Sequence, residues 1–174
     1  MLENYYDCFI EIPQGSSFVK YEFDKVQNRL RVDRFMNVAM YYPCNYGFIP
    51  QTLSKDGDPV DVLVITQYPI IAGAVLNIRP VAVLNMEDEA GFDEKIIAVP
   101  INKLDPYFNN VKDLADLNPV LLEKIKHFFE RYKDLDKNKW VKVLDFHNQQ
   151  YAVELIEEGF KRYQNEEQKT KIFE

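Results

Sequence analysis

Closely spaced strand patterns in a chain of 174 residues are the feature that most limits how this sequence can fold. In residues 18–24 apolar and charged side chains alternate, as in a half-buried strand. Other segments are rich in β-branched residues and are bounded by Gly, Pro or Asp. The predicted strands are residues 8–12, 18–24, 30–35, 60–66, 74–86, 95–99 and 141–146. So many strands in so short a chain favour a small closed barrel over an open sheet.

Helical patterns are confined to the second half of the chain. Asn118 and Pro119 form an N-cap and N1 pair, and apolar residues follow at helical spacing as far as residue 132. Residues 149–163 form the second predicted helix. We therefore expect a mainly β fold of the α+β class, with two helices packed outside the barrel. No repeat or low-complexity linker divides the sequence, so residues 1–174 are predicted to form one domain.

The charge balance restricts the class of partner. The chain has 28 acidic and 21 basic residues, a formal net charge of −7 and a pI near 5.0. Nucleic acids and anionic membranes require a basic surface, so neither is expected as a partner. Taken alone, the acidic balance also argues against a phosphate substrate. The 47% hydrophobic content excludes global disorder.

The cysteines and the N-terminal residues bear on the compartment. Cys8 and Cys44 form no CxxC pair, which indicates free thiols in a reducing environment. Residues 1–7 lack the basic and apolar regions of a secretory signal. The apolar run at residues 68–78 is too short to span a bilayer. We expect a cytoplasmic protein.

The sharpest local motif is Asp56-Gly57-Asp58-Pro59-Val60-Asp61, a Gly/Pro turn that leads into a predicted strand. Clustered carboxylates raise one another's pKa, and a divalent cation removes that penalty. An all-oxygen donor set suits a hard ion such as Mg²⁺. A solvated acidic turn explains the local pattern equally well. A calcium loop of the EF-hand type fits less well, because the acid spacing differs and a strand follows.

A second acidic cluster covers residues 87–95 and lies between two predicted strands. On its own it is typical of an exposed hairpin connection with a charged tip. If both acidic loops meet at one end of the barrel, they can share metals. Glu11 and Glu22, on early strands, add two more candidate carboxylates.

Basic and aromatic side chains are interspersed among these acids. Lys20 shares the polar face of its strand with Glu22. Arg34 lies on an otherwise apolar face and so requires an anionic partner. Lys133 follows the first helix, where a lysine also complements the helix dipole. Residues 41–47 are interpreted as an aromatic-rich connection whose tyrosines pack or supply hydrogen bonds.

With these residues in view, the sequence resembles the family I soluble inorganic pyrophosphatases of bacteria. The aspartate motif at residues 56–62 matches the family motif throughout. Further family segments follow in the family's order from residue 10 to residue 163. They begin at Ile10, Lys20, Val32, Tyr42, Asp88 and Tyr132.

The resemblance implies a closed five-stranded barrel like that of oligonucleotide/oligosaccharide-binding folds, and a homo-hexamer. It implies hydrolysis of pyrophosphate to two orthophosphates with several Mg²⁺ ions, for which Mn²⁺ or Zn²⁺ are candidate substitutes. The implied metal ligands are Glu22, Asp56, Asp61, Asp88 and Asp93. The implied phosphate-binding groups are Lys20, Arg34, Tyr46, Lys95, Tyr132 and Lys133. Asp58 resembles the base that deprotonates the attacking water, and Glu11 and Tyr42 occupy supporting active-site positions.

These assignments change the meaning of the acidic balance. The proposed site contains seven acids and four bases, a local charge of −3. Without metal such a pocket repels pyrophosphate, whereas divalent ions make it attractive to the anion. The sequence therefore predicts obligatory metal and direct attack by a metal-activated water. A nucleic-acid-binding barrel and a Ca²⁺-binding structural domain are the competing hypotheses.

Overall fold

The strands of this protein form one sheet of six and a separate pair. The structure is a computed structural model that describes residues 5–172, with side chains through residue 168. The strands are β1 (Tyr6–Ile12), β2 (Val19–Asp24), β3 (Arg29–Phe35), β4 (Asn45–Phe48), β5 (Asp61–Val64), β6 (Val75–Asp88), β7 (Gly91–Pro100) and β8 (Val141–Asn148). The helices are α1 (Pro119–Arg131) and α2 (Gln149–Ile172), with short 3₁₀ turns at Pro106–Phe108 and Leu114–Asp116.

Five strands pair in a ring. The hydrogen-bonded order is β1-β4-β5-β7-β6, and β6 pairs back with β1. Each strand of the ring thus has two neighbours, as the predicted closed, five-stranded barrel requires. The β5–β7 pair is parallel, whereas the other pairs are antiparallel. Strand β8 extends the sheet from β6, and β2 and β3 form a separate hairpin.

Both faces of the barrel strands are buried. Val62 and Val64 belong to one apolar cluster, whereas Leu63 between them belongs to another. Ala152 and Ile156 of α2 pack in the first cluster. The second contains the buried side of α1, namely Ile125, Phe128 and Phe129. The sequences of the barrel strands are therefore nearly continuous apolar runs, because a side chain on either face packs against a helix or in the barrel interior.

Most predicted elements are confirmed, with boundaries shifted by a few residues. Asn118 caps α1 by accepting from the Val120 N–H at 2.9 Å, as its position predicts. Helix α2 is longer than the predicted 149–163, because the polar residues that follow are good helix formers. Cys8 and Cys44 are buried free thiols. Within residues 5–172 no helix is long and apolar enough to cross a membrane.

One interpretation of a connecting segment was wrong, and the bounds of another were too wide. The aromatic-rich segment at residues 41–47 contains the start of β4, which is only four residues long and is buried. Strand β4 lies so close to β1 that a side chain at Gly47 would collide with the Phe9 carbonyl. The second acidic cluster is a hairpin connection with a charged tip, as expected, but it is shorter because β6 and β7 extend into it and continue pairing to Asp88 and Gly91. Asp93 therefore projects from a strand.

Candidate active site

A buried lysine with two carboxylates lies at the centre of the candidate site. The parallel register of β5 and β7 places Asp61 opposite Lys95. The Lys95 Nζ lies 2.5 Å from Asp61 Oδ2, 2.6 Å from Asp93 Oδ1 and 3.3 Å from the Tyr46 hydroxyl. Only 4% of Lys95 is exposed. Two acids from separate acidic segments therefore contact the same lysine ammonium group.

The electrostatics of this group follow from its burial. Burial by itself lowers the pKa of Lys95, but Asp61, Tyr46 and Asp93 raise it well above the ordinary value. Burial raises the pKa of Asp93, and the Lys95 ammonium opposes that effect. Lys95 is therefore held as a cation whose charge is already shared between two acids.

Glu11 lies beside this group in a pocket of about 90 Å³, which we call the acidic pocket. Six predicted site residues line it, namely Glu11, Lys20, Glu22, Tyr46, Asp58 and Asp61. Glu11 is 6% exposed, and its Oε1 accepts a hydrogen bond of 2.7 Å from the Phe23 N–H. Burial raises the pKa of Glu11 to about 7 against the lowering effect of that bond. Proximity to Asp61 raises the pKa further.

The turn of the aspartate motif holds the other two acids. Asp56 Oδ1 accepts from the Asp58 N–H at 3.0 Å, which fixes the turn ahead of β5. Burial raises the pKa of Asp56, and the nearby charges of Asp58 and Asp61 act in the same direction. Asp58 is exposed and lies 3.5 Å from the Lys25 ammonium. Lys25 was absent from the sequence prediction, because it lies on the distant β2–β3 turn.

The β2–β3 hairpin carries Lys20, Glu22 and Arg34. The Lys20 ammonium lies 2.9 Å from Asp33 and 3.8 Å from Glu22. Arg34 Nε lies 3.9 Å from Asp136 Oδ2, so the required anionic partner comes from the loop after α1. Neither Asp33 nor Asp136 was predicted, although cross-strand parity could have identified Asp33 as a neighbour of Lys20.

A second group of charges lies at the β6–β7 turn. The Lys133 ammonium lies 2.7 Å from Asp88 Oδ2 and 3.3 Å from Glu89. Although burial acts against ionisation, Lys133 holds the pKa of Asp88 below its ordinary value. Lys133 is nearly buried, so its contacts go beyond complementing the dipole of α1. Glu89 was a member of the acidic cluster but was not singled out.

Aromatic side chains connect the two charged groups. Tyr42 is 3% exposed, and its ring lies 5.7 Å from that of Tyr46 and 4.8 Å from that of Phe128. Tyr132 stacks on Phe128 at 5.4 Å. Burial raises the pKa of Tyr42, Tyr46 and Tyr132, so each hydroxyl keeps its proton. These tyrosines can therefore donate hydrogen bonds to an anion.

The donor chemistry of the site fits a hard divalent cation. Among the side chains of residues 5–168, no group of three carboxylates, thiols or imidazoles encloses a cation position. Lys95 instead lies between Asp61 and Asp93. Burial raises the pKa of Glu11, Asp56 and Asp93, so a cation bound beside them would stabilise their ionised form. All-oxygen ligands with unmet negative charge are the chemistry that Mg²⁺ binds.

Comparison with known proteins gives one consistent result. The family model described as inorganic pyrophosphatase matches residues 8–164. The inorganic pyrophosphatase of Rickettsia bellii is 58% identical over 156 residues, which cover 90% of this chain and 89% of that protein.

Solved structures agree. The inorganic pyrophosphatase of Helicobacter pylori is 52% identical with a TM-score of 0.90, covering 93% of this chain and 95% of that one. That of Coxiella burnetii is 45% identical with a TM-score of 0.91, covering 92% and 96%. Matches of this extent, over a shared barrel, show that the chain belongs to the inorganic pyrophosphatase family, whose members are hydrolases.

Proposed function

We propose that this chain hydrolyses inorganic pyrophosphate to two orthophosphates in a Mg²⁺-dependent reaction. The observation that supports this most is the Asp61–Lys95–Asp93 group, in which acids from two segments converge beside the acidic pocket. A pocket lined by four carboxylates and two lysines suits a metal-complexed anion better than a free one. The relatives' name supplies the substrate.

We assign the metal ligands to Glu22, Asp56, Asp61, Asp88 and Asp93. When bound there, Mg²⁺ neutralises phosphate charge and lowers the pKa of a coordinated water. Mn²⁺ and Zn²⁺ are candidate substitutes, because the oxygen ligands alone discriminate weakly among divalent ions.

The cations and tyrosines around the pocket hold the substrate in this proposal. The phosphate-binding groups are Lys20, Arg34, Tyr46, Lys95, Tyr132 and Lys133. In the structure Lys95 is paired with Asp61 and Asp93, and Lys133 is paired with Asp88. All three of these acids are proposed metal ligands. An acid that binds a cation no longer has its full charge available for a lysine. The lysines then stabilise charge on the phosphoryl oxygens as the bridging oxygen leaves.

Asp58 is the proposed general base. It lies on the turn ahead of β5, lines the acidic pocket and is exposed to water. It takes a proton from the attacking water, and the scheme requires no covalent intermediate. Glu11 and Tyr42 have supporting roles: Glu11 anchors the β2 backbone at Phe23, and Tyr42 packs against Tyr46.

We further propose that residues 1–174 form one domain that assembles as a homo-hexamer in the cytoplasm. Exposed apolar side chains at Tyr68, Ile71 and Leu104 support the assembly, because such side chains tend to be covered in oligomers. Light scattering coupled to gel filtration tests the hexamer, and a monomer at micromolar concentration would contradict it.

One experiment tests the activity. Phosphate release from pyrophosphate is measured with Mg²⁺, with and without EDTA, for the wild type, Asp61→Asn and the exposed control Glu123→Gln. We expect release by the wild type and the control only, and only with Mg²⁺. Release that is independent of metal, or no release, contradicts the proposal. Ca²⁺ binding without hydrolysis would favour a structural domain, and binding to single-stranded DNA at low salt would favour a nucleic-acid partner.

A further inference from the structure

A second and larger cavity lies between the end of α2 and residues 50–53. Its volume is about 640 Å³, within the range of sites for small organic ligands. We call it the α2 cavity and define it by its apolar walls, Phe23, Phe48, Pro50, Leu53, Pro59 and Tyr163. The acidic pocket is about 90 Å³ and polar, so the two recesses suit different ligands.

Hydrogen bonds hold the walls of the α2 cavity in place. The Leu53 N–H donates to the Gly159 carbonyl at 3.0 Å, and Arg162 Nε donates to the Leu53 carbonyl at 2.7 Å. These bonds join the wall segment to α2. Gln51, in the same wall, has a φ of 60°, a strained value for a residue with a side chain. The recess is therefore preformed, which lowers the entropic cost of binding a ligand.

The α2 cavity adjoins the acidic pocket, and residues Phe23, Lys25, Phe48 and Pro59 line both. The Phe23 backbone donates to Glu11 at 2.7 Å. The Lys25 ammonium lies 3.5 Å from Asp58. A ligand that displaces Phe23 or Lys25 therefore acts directly on the environment of two proposed catalytic groups.

Charge and shape indicate the class of ligand. The two aromatic rings of Phe23 and Phe48 lie 5.9 Å apart and offer a surface for a planar ring. Glu166 and Glu167 lie at the α2 side of the cavity, while Lys25, the lysine that lines it among the side chains of residues 5–168, is paired with Asp58. The described lining thus has two carboxylates and one lysine. Aromatic walls and carboxylates together favour a cation attached to an aromatic ring.

We propose that the α2 cavity is a regulatory site for a small aromatic cation, which changes the activity through Phe23 and Lys25. The regulatory part rests on the proposed pyrophosphate hydrolysis, whereas the binding part does not. The binding part is tested first, by calorimetry on the full chain without pyrophosphate. The probes are tryptamine, its neutral analogue tryptophol and the anionic indole-3-acetate.

We expect tryptamine to bind about fivefold more tightly than tryptophol, and indole-3-acetate to bind most weakly. Glu167→Gln should reduce the preference for tryptamine, whereas Glu123→Gln, which removes the same charge from α1, should leave it unchanged. Equal binding of the three probes, no binding, or equal effects of the two variants overturns the proposal.

Two cavity variants locate the site and test its coupling. Leu53→Trp fills the cavity and Tyr163→Ala removes a wall. Both variants should therefore weaken the binding of tryptamine at least about fivefold while the circular dichroism spectrum stays that of the native fold. Saturating tryptamine should change the KM or kcat of the wild type by about twofold or more and leave Leu53→Trp unaffected. Binding with unchanged kinetics overturns the regulatory part. Absence of basal hydrolysis would instead refute the proposed function and leave the binding result standing.

Discussion

Lys95 and Asp61 lie opposite each other in the parallel β5–β7 pair, and their charged atoms are 2.5 Å apart although 34 positions separate them in the chain. The same ammonium lies 2.6 Å from Asp93. This lysine therefore neutralises part of the charge of two partly buried acids.

Replacing Lys95 by Met should destabilise the protein, because Asp61 and Asp93 lose their shared cation. Breaking a buried charge pair costs about 3 kcal/mol or more. Urea denaturation in EDTA measures the loss, and added Mg²⁺ should recover part of it. Lys124→Met, on the exposed face of α1, is the control. Equal midpoints for the two variants would contradict this role of Lys95.

Replacing Asp58 by Asn should lower turnover about a hundredfold or more, since general bases contribute on this scale. The amide keeps the size of the side chain but cannot take up the proton. Initial rates at saturating Mg²⁺ and pyrophosphate measure the effect. Lys25→Gln removes the neighbouring charge and leaves the carboxylate, so it should retain more activity. Near-normal turnover of Asp58→Asn would exclude it as the base.

Glu11 should make the stability depend on pH. Burial raises its pKa from 4.5 to about 7, so the folded protein keeps a proton that the unfolded chain loses in this window. The free energy of unfolding should therefore fall as pH rises from about 4.5 to about 7, by about 3 kcal/mol. Above pH 7 this contribution is constant.

The variant Glu11→Gln should remove this contribution. Its carbonyl oxygen can still accept from Phe23, and the side chain no longer titrates. A smaller dependence of the free energy of unfolding on pH persists in the variant, because burial also raises the pKa of Asp56 and Asp93. Urea titrations in EDTA between about pH 5 and pH 8 compare the two proteins. Parallel curves for wild type and variant would show that Glu11 is not the titrating group.

Asp136 should position Arg34. Its carboxylate accepts from Asn37 at 3.0 Å and lies 3.9 Å from Arg34 Nε, so it joins the β3 end to the loop after α1. Asp136→Asn should raise the KM for pyrophosphate roughly two- to fivefold and change kcat less. In an Arg34→Lys background the same change should have little further effect. Additive effects in the double variant would mean that Asp136 acts independently of Arg34.

Gly47 should tolerate no side chain. A Cβ there would collide with the Phe9 carbonyl, which belongs to the neighbouring strand and not to a movable side chain. Gly47→Ala should cost about 2–3 kcal/mol or prevent folding. Thermal melts of soluble protein measure this, with Gly57→Ala as a control in open space that carries only backbone strain. A Gly47→Ala melt matching that of Gly57→Ala would contradict the tight β1–β4 approach.

The predicted strands were recognised where at least five residues alternate or form an apolar run. Strand β4 was not predicted, because it has only four residues and is held by pairing with β1 on one side and β5 on the other. The end of β6 and the start of β7 were not predicted as strand, because their charged residues are typical of a turn. There the strands are stabilised by mutual pairing and not by an apolar face.

Local chemistry is what the sequence by itself determined. The turn residues around Asp56 and Asp58 and the apolar run after Asp61 specify a turn followed by a strand, and Asn118 and Pro119 specify where α1 begins. These features depend on neighbours a few residues away, so they are visible in the order of the residues. The excess of acids over bases among the predicted site residues likewise indicates a need for cations.

The tertiary structure alone decided which charges meet. The β5–β7 register pairs Asp61 with Lys95, the hairpin brings Lys25 to Asp58, and the loop after α1 brings Asp136 to Arg34. These contacts span 33 to 102 positions and depend on strand register and on packing. No local periodicity encodes contacts between residues so far apart in the chain. They form only when the barrel forms and buries both faces of its strands.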